Sequence, residues 1–133
     1  METMLLSVRH LTLLVLSDPT DQQLGLLEEL PDTADIIVGD RFDAFTSGAE
    51  EADIMLVRDV PADLARDVWQ LTERLRWIHV QGPDSFVPDT SATVTRDPET
   101  GQALEEALRP FLDNFKRFQR GEPLLNVIKE PIG

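Results

Sequence analysis

Leu75-Arg76-Trp77-Ile78-His79-Val80 is followed directly by Gln81-Gly82-Pro83-Asp84. The first six residues are mostly apolar, aromatic or β-branched, which favours a buried strand, and the Gly-Pro-Asp group ends it. In an open α/β sheet, ligands bind in the loops at the carboxyl ends of parallel strands. We therefore predict a buried parallel strand over 75–80 that leads into a ligand-binding loop.

Strand-like and helix-like segments alternate on both sides of this stretch. Apolar and β-branched runs predict strands over 11–16, 34–38 and 53–57, and a brief fifth strand over 93–95. Asp18 and Pro19 are predicted to cap and open the first helix, which ends at Pro31. Pro61 is predicted to start the helix that precedes the central strand. This alternation indicates βαβ units, in which the strands run parallel.

The C-terminal third contains the clearest helical pattern. Apolar residues repeat at helical spacing over 98–119, which predicts a long amphipathic helix. Pro110 lacks the N–H that a helix interior needs, so we expect a kink there or two abutting helices. Gly121 is predicted to cap the helix, and residues 122–132 are predicted to form an extended tail.

Together these elements predict one α/β domain over 1–133. Four or five parallel strands with helices on both faces are typical of a flavodoxin-like three-layer sandwich, with about five strands in the order 2-1-3-4-5. Phe42 and Phe45 are predicted to anchor one helical turn between the second and third strands. Trp69 and Trp77 are predicted to lie in the core rather than to serve as stacking platforms.

The charge balance excludes several classes of partner. Twenty-five acidic residues against 12 basic ones give a net charge of −13, with the acids spread along the chain. Such a field repels phosphate backbones and anionic lipids, so we expect neither nucleic-acid nor membrane binding. Two interpretations of the acidity stay open: a surface adapted to high salt, and an ordinary acidic protein.

Several kinds of chemistry are missing from the sequence. There is no cysteine, and no apolar run approaches the ~20 residues that cross a bilayer. The seven glycines, at 25, 39, 48, 82, 101, 121 and 133, form neither a Gly-x-Gly-x-x-Gly turn nor a P-loop. We expect a cytoplasmic chain that holds no cofactor and no metal, and we predict no catalytic residue in it.

Four residues near the predicted carboxyl edge of the sheet are candidates for binding a ligand. Gln81 and Gly82 open the loop after the central strand, and His79 lies two positions before it. Arg58 follows the third strand, where a guanidinium can bind a carboxylate through two N–H groups. Two alternatives stay open: His79 as a core histidine, and Arg58 in a salt bridge with Asp59 or Asp84.

Three segments resemble the substrate domain of the D-isomer-specific 2-hydroxyacid dehydrogenases. They are Leu75–His79 with its Gly-x-Asp loop, Asp53-Ile54-Met55-Leu56-Val57-Arg58-Asp59-Val60-Pro61, and Phe111-Leu112-Asp113-Asn114-Phe115-Lys116-Arg117-Phe118 with Gly121-Glu122-Pro123-Leu124 and Asn126-Val127. The resemblance implies a domain that binds a small 2-oxo or 2-hydroxy acid. In the family an inserted Rossmann domain supplies NAD or NADP and the catalytic Arg, Glu and His.

That inserted domain has no counterpart in this sequence. Val94-Thr95 resembles the strand before the insertion and Asp97-Pro98-Glu99 the segment after it, so we expect residues 1–95 to be joined to residues 97–133, by design or in nature. The chain alone is then expected to be inactive, and the vacated surface favours self-association. Pro83 has no N–H to offer an anion, so substrate binding is expected to be weak.

Two further functions compete with this interpretation. A stand-alone small-carboxylate binding or regulatory module needs the same convergence of Arg58 with the loop at Gly82. A phospho-receiver needs a lysine after the fifth strand, and no suitable lysine follows it.

Overall fold

The computed structural model describes residues 11–58, 60–81, 88, 92–96 and 108–129. These residues form six strands, β1 Leu11–Leu16, β2 Ala34–Gly39, β3 Ile54–Val57, β4 Trp77–Val80, β5 Thr93–Arg96 and β6 Val127–Lys129. They also form two α-helices, α1 Ala62–Trp69 and α2 Arg109–Arg120, and three 3₁₀ helices, Gln22–Glu29, Phe42–Ala44 and Ala49–Glu51. The predicted loop at 82–84 lies outside the described residues, and so do residues 97–98 of the junction predicted near 95–98.

The strands form one mixed sheet in the order β2-β1-β3-β4-β5-β6. The four pairings from β2 to β5 are parallel, as the alternation of strands and helices predicts, and the predicted order of these five strands is confirmed. The sixth strand corrects the prediction of an extended tail, because β6 pairs antiparallel with β5. The side-chain amide of Asn114 binds both backbone groups of Leu125, at 2.8 and 2.9 Å, and this contact brings the chain back beside β5.

The sheet separates two apolar cores, and β4 contributes to both. Strand residues alternate between faces, so Ile78 and Val80 face α1 while Trp77 and His79 face α2. All four β4 side chains are buried, which confirms the prediction of a central buried strand and places Trp77 in the core. The strand begins at Trp77 and not at Leu75 as predicted. The Trp77 ring stacks on Phe111, with ring centroids 5.0 Å apart.

The start of the first helix differs from its prediction. Its cap is Asp21, whose carboxylate accepts the backbone N–H of Gln23 at 2.8 Å, and the helix is of the 3₁₀ type. Asp18 instead accepts the backbone N–H and the hydroxyl of Thr20, at 2.9 and 2.7 Å. Because the Asp18 carboxylate closes this local turn, the helix begins three residues later.

The other helical segments agree only partly with prediction. Phe45 is fully buried, but Phe42 is 38% exposed, so only Phe45 anchors a turn. The described section of the C-terminal helix begins at Arg109 and has Pro110 in its first turn, where a missing N–H costs nothing. Pro110 therefore stands at the start of the described helix and not at a kink within it, while residues 98–107 of the predicted helix lie outside the described residues. Among the described residues, no helix has the length and apolar composition needed to cross a bilayer.

Candidate functional site at the carboxyl edge of the sheet

Three polar residues lie side by side where three adjacent strands end. Ser17 follows β1, Arg58 follows β3 and Gln81 follows β4. Each continues the backbone ladder by donating its N–H to a carbonyl of the neighbouring strand, over 2.9–3.0 Å. The sheet therefore fixes the three backbones one residue beyond the ends of the strands.

Their side chains meet at the guanidinium of Arg58. Its Nε donates to Oε1 of Gln81 at 2.7 Å, and its Nη1 donates to the hydroxyl of Ser17 at 3.2 Å. Nη1 also forms an ion pair with Oδ2 of Asp21 at 3.0 Å. The Arg58 side chain is only 8% exposed, whereas that of Asp21 is 35% exposed. A largely buried charge of this kind is tolerated only with such partners.

One end of the guanidinium has no partner among the described residues. Nε and Nη1 of Arg58 are hydrogen-bonded, but Nη2 makes no hydrogen bond to any residue that the structure describes. A guanidinium held rigidly on one side can direct the N–H groups of its other side at a carboxylate. Chemically, the arrangement is a guanidinium that could bind an anion, and Asp21 is its one counter-charge among the described residues.

Both predicted salt-bridge partners of Arg58, Asp59 and Asp84, lie outside the described residues. The partner that the structure gives is Asp21, a residue that no sequence pattern singled out. Gln81, a predicted site residue, does contact Arg58. Gly82, the fourth predicted site residue, also lies outside the described residues.

His79 lies deeper in the molecule than the other candidates. It is fully buried, and its Nδ1 is 2.7 Å from the hydroxyl of Thr95. The same hydroxyl accepts the indole N–H of Trp77 at 2.8 Å, and the Phe111 ring packs edge-on against the imidazole, 5.7 Å away between centroids. These contacts give His79 the role of a core histidine that links β4 to β5 beneath α2.

Sequence reasoning missed two members of the site, Ser17 and Asp21. Ser17 had a usable signal, since it is the first residue after a buried strand, the same position that Arg58 and Gln81 occupy on theirs. Asp21 had no such signal. It reaches the site because the turn at 18–20 carries the chain back over the end of β1, where Arg58 Nη1 contacts both Ser17 and Asp21.

A second acidic group next to the site is held in its charged form. The backbone N–H of Thr20, and then its hydroxyl, lower the pKa of Asp18 because both donate to the carboxylate. The backbone carbonyl of Asp18 also accepts the hydroxyl of Ser17 at 3.3 Å. The segment after β1 therefore presents negative charge to the carboxyl edge of the sheet.

A groove of about 750 Å³ lies at the opposite, amino edge of the sheet, between the end of α2 and β6. Its cation is Arg76, whose guanidinium lies 4.7 Å from the centroid of the Phe118 ring. None of the residues that line this groove is buried, so no polar group there is fixed as Arg58 is. The carboxyl edge is therefore the better candidate.

The described residues offer no site for a metal. No three histidine or acidic side chains among them come together as a group that could hold an ion.

Comparisons with protein-family models, curated proteins and solved structures gave no match for this chain. A function can therefore be inferred only from the geometry at the carboxyl edge and from the residues quoted from the sequence.

Proposed function

We propose that this chain is the substrate-binding domain of an oxidoreductase similar to the D-2-hydroxyacid dehydrogenases, with a flavodoxin-like fold. Its ligand is a small 2-oxo or 2-hydroxy acid, whose carboxylate binds the guanidinium of Arg58. The observation that carries the proposal is the placement of this largely buried guanidinium at the carboxyl edge of a parallel sheet, with Nη2 bound to no described residue. Ligands bind at this edge in open α/β sheets.

The order of the strands agrees with this proposal. A flavodoxin-like sheet has the order 2-1-3-4-5, which this chain follows before adding β6. The parent enzyme is proposed to carry its nucleotide-binding domain between the segments that correspond to 1–95 and 97–133. This chain has no glycine-rich turn that fits a dinucleotide, so its residues do not fit NAD or NADP, and no hydride-transfer step is assigned to them. The isolated chain then binds substrate without converting it.

Titration of the full chain with glyoxylate, pyruvate and hydroxypyruvate tests the proposal. Backbone amide shifts in an NMR spectrum should move at Ser17, Arg58 and Gln81, and the groove around Phe118 should stay unchanged. The substitution Arg58→Lys keeps the charge but removes the planar guanidinium, so the side chain can no longer contact Gln81 and Asp21 while Nη2 donates to the ligand. Because a hydrogen bond to a charged group contributes about 1.5–3 kcal/mol, the substitution should weaken binding roughly tenfold or more.

Arg66→Lys is the matched control, because Arg66 lies on the exposed surface of α1 and pairs only with Asp63 among the described residues. It should leave the affinity unchanged. Equal losses in the two variants, or shifts confined to the amino-edge groove, would contradict the assignment of Arg58. Turnover of any of these acids with NADH or NADPH by the chain alone would contradict the proposed inactivity.

A further inference from the structure

Asp21 is held against Arg58 by two independent contacts. One carboxylate oxygen, Oδ1, accepts the backbone N–H of Gln23 at 2.8 Å and so caps the first 3₁₀ helix. The other, Oδ2, pairs with Nη1 of Arg58 at 3.0 Å. Because the cap fixes this carboxylate to the backbone, it stays beside the guanidinium when a ligand approaches Nη2.

Among the described residues, this arrangement leaves the site without a net positive charge before a ligand arrives. The charges of Arg58 and Asp21 offset each other, and Asp18 adds negative charge three residues earlier. Among the described residues, a monocarboxylate that binds Nη2 meets one guanidinium and one neighbouring carboxylate. A second anionic group on the same ligand finds no further cation among the described contacts of the site, and it is repelled by Asp21.

From these contacts we infer that Asp21 is a specificity-determining residue, which makes the Arg58 site select monocarboxylates over dicarboxylates and phosphorylated acids. The inference rests on the proposed function, since it concerns the ligand of the same site. Two unit charges about 4 Å apart in a water-like medium interact by an amount that corresponds to roughly a fivefold change in affinity. The Asp21 side chain is 35% exposed. Its repulsion of a second charge on the ligand is therefore closer to the value for a water-like medium than to the value for a dry interior.

Lactate and tartronate are a suitable pair of probes, because tartronate has a carboxylate where lactate has its methyl group. Their dissociation constants for the full chain are measured by NMR titration at low salt. The native chain should bind lactate at least about fivefold more tightly than tartronate. Asp21→Asn removes the charge but retains an oxygen that caps the helix, so it should reduce this ratio about fivefold.

Asp63→Asn is the matched control, since it removes one negative charge from the exposed surface of α1 and should leave the ratio unchanged. Asp21→Ser provides a second capping residue without charge and should give the same reduction if the asparagine variant does not fold. A ratio that stays at its native value in the Asp21 variants would overturn the inference.

The affinities of the native chain for the two acids distinguish a failure of the selectivity from a failure of the proposed function. If it binds lactate and tartronate equally, the selectivity is wrong and the proposed function stands. If it binds neither acid, the proposed function is wrong, and the inference fails with it.

Discussion

The hydroxyl of Thr95 connects two buried aromatic rings beneath α2. Removing it should destabilise the fold if its hydrogen bonds stabilise the core. The hydroxyl accepts the indole N–H of Trp77 at 2.8 Å and lies 2.7 Å from Nδ1 of His79. All three side chains are fully buried. Thr95→Val replaces the hydroxyl by a methyl group of nearly the same size, so packing is retained while the polar contacts are lost.

The expected loss of stability comes from the indole N–H of Trp77 and the imidazole of His79, which stay buried after the hydroxyl is removed. A buried group that loses its hydrogen-bond partner costs about 1–3 kcal/mol, so the indole N–H and the imidazole together cost about 2–6 kcal/mol. The added methyl group returns about 0.8 kcal/mol of apolar burial. We therefore expect Thr95→Val to lower the free energy of unfolding by about 1–5 kcal/mol, which is a large fraction of the stability of a small domain.

Urea unfolding with linear extrapolation measures this change. Thr93→Val is the control, because Thr93 lies on the same strand, is only half-buried, and its hydroxyl bonds no described residue. The control should change the free energy of unfolding by less than about 0.5 kcal/mol. If Thr95→Val changes stability no more than the control does, the reasoning about this network is refuted.

Two further predictions concern the ends of two helices, at Gly121 after α2 and at Glu29 in the first 3₁₀ helix. Gly121 has a φ of 71° with no atom near its missing Cβ, so Gly121→Ala should cost about 1–2 kcal/mol in urea unfolding through backbone strain alone. Gly25→Ala, where a Cβ is equally unhindered and φ is not positive, should be neutral or stabilising; equal losses would contradict the strain argument. Hydrogen bonds from Arg109, at 2.8 and 2.9 Å, lower the pKa of Glu29 from its ordinary value of 4.5. This contribution to stability is fully present above that ordinary value and is lost as the pH falls through the lowered one. Unfolding curves of Glu29→Gln and the native chain should therefore differ at pH 7 and converge in acid, and a constant difference would contradict the ion pair.

Much of the sheet was predictable because its strands are marked by local features. Residues 11–16 form a continuous apolar or β-branched run, and residues 75–80 are mostly apolar, aromatic or β-branched. Polar or Gly-Pro groups end both segments. Gly121 was predictable for a similar reason, since a helix that ends in a left-handed turn favours glycine. β6 was missed because three residues carry too short a pattern, and its position depends on Asn114, which is distant in sequence.

The candidate site was only partly predictable. Arg58 and Gln81 were found because they follow apolar strands, and Ser17 satisfies the same rule. The role of Asp21 was not predictable, because the Asp18 turn, and not the helix periodicity, determines which aspartate reaches the guanidinium.

By itself, the sequence determined the positions of the first five strands, that these run parallel, and that a cation follows the third strand. These properties depend on alternation, side-chain shape and turn residues, which act within a few residues of one another. Only the tertiary structure decided that Arg58 pairs with Asp21, that His79 is sealed beneath α2, and that the tail returns as a sixth strand. Such pairings join residues that are 11 to 37 positions apart in the chain. A contact between residues so far apart produces no pattern in the sequence around either of them.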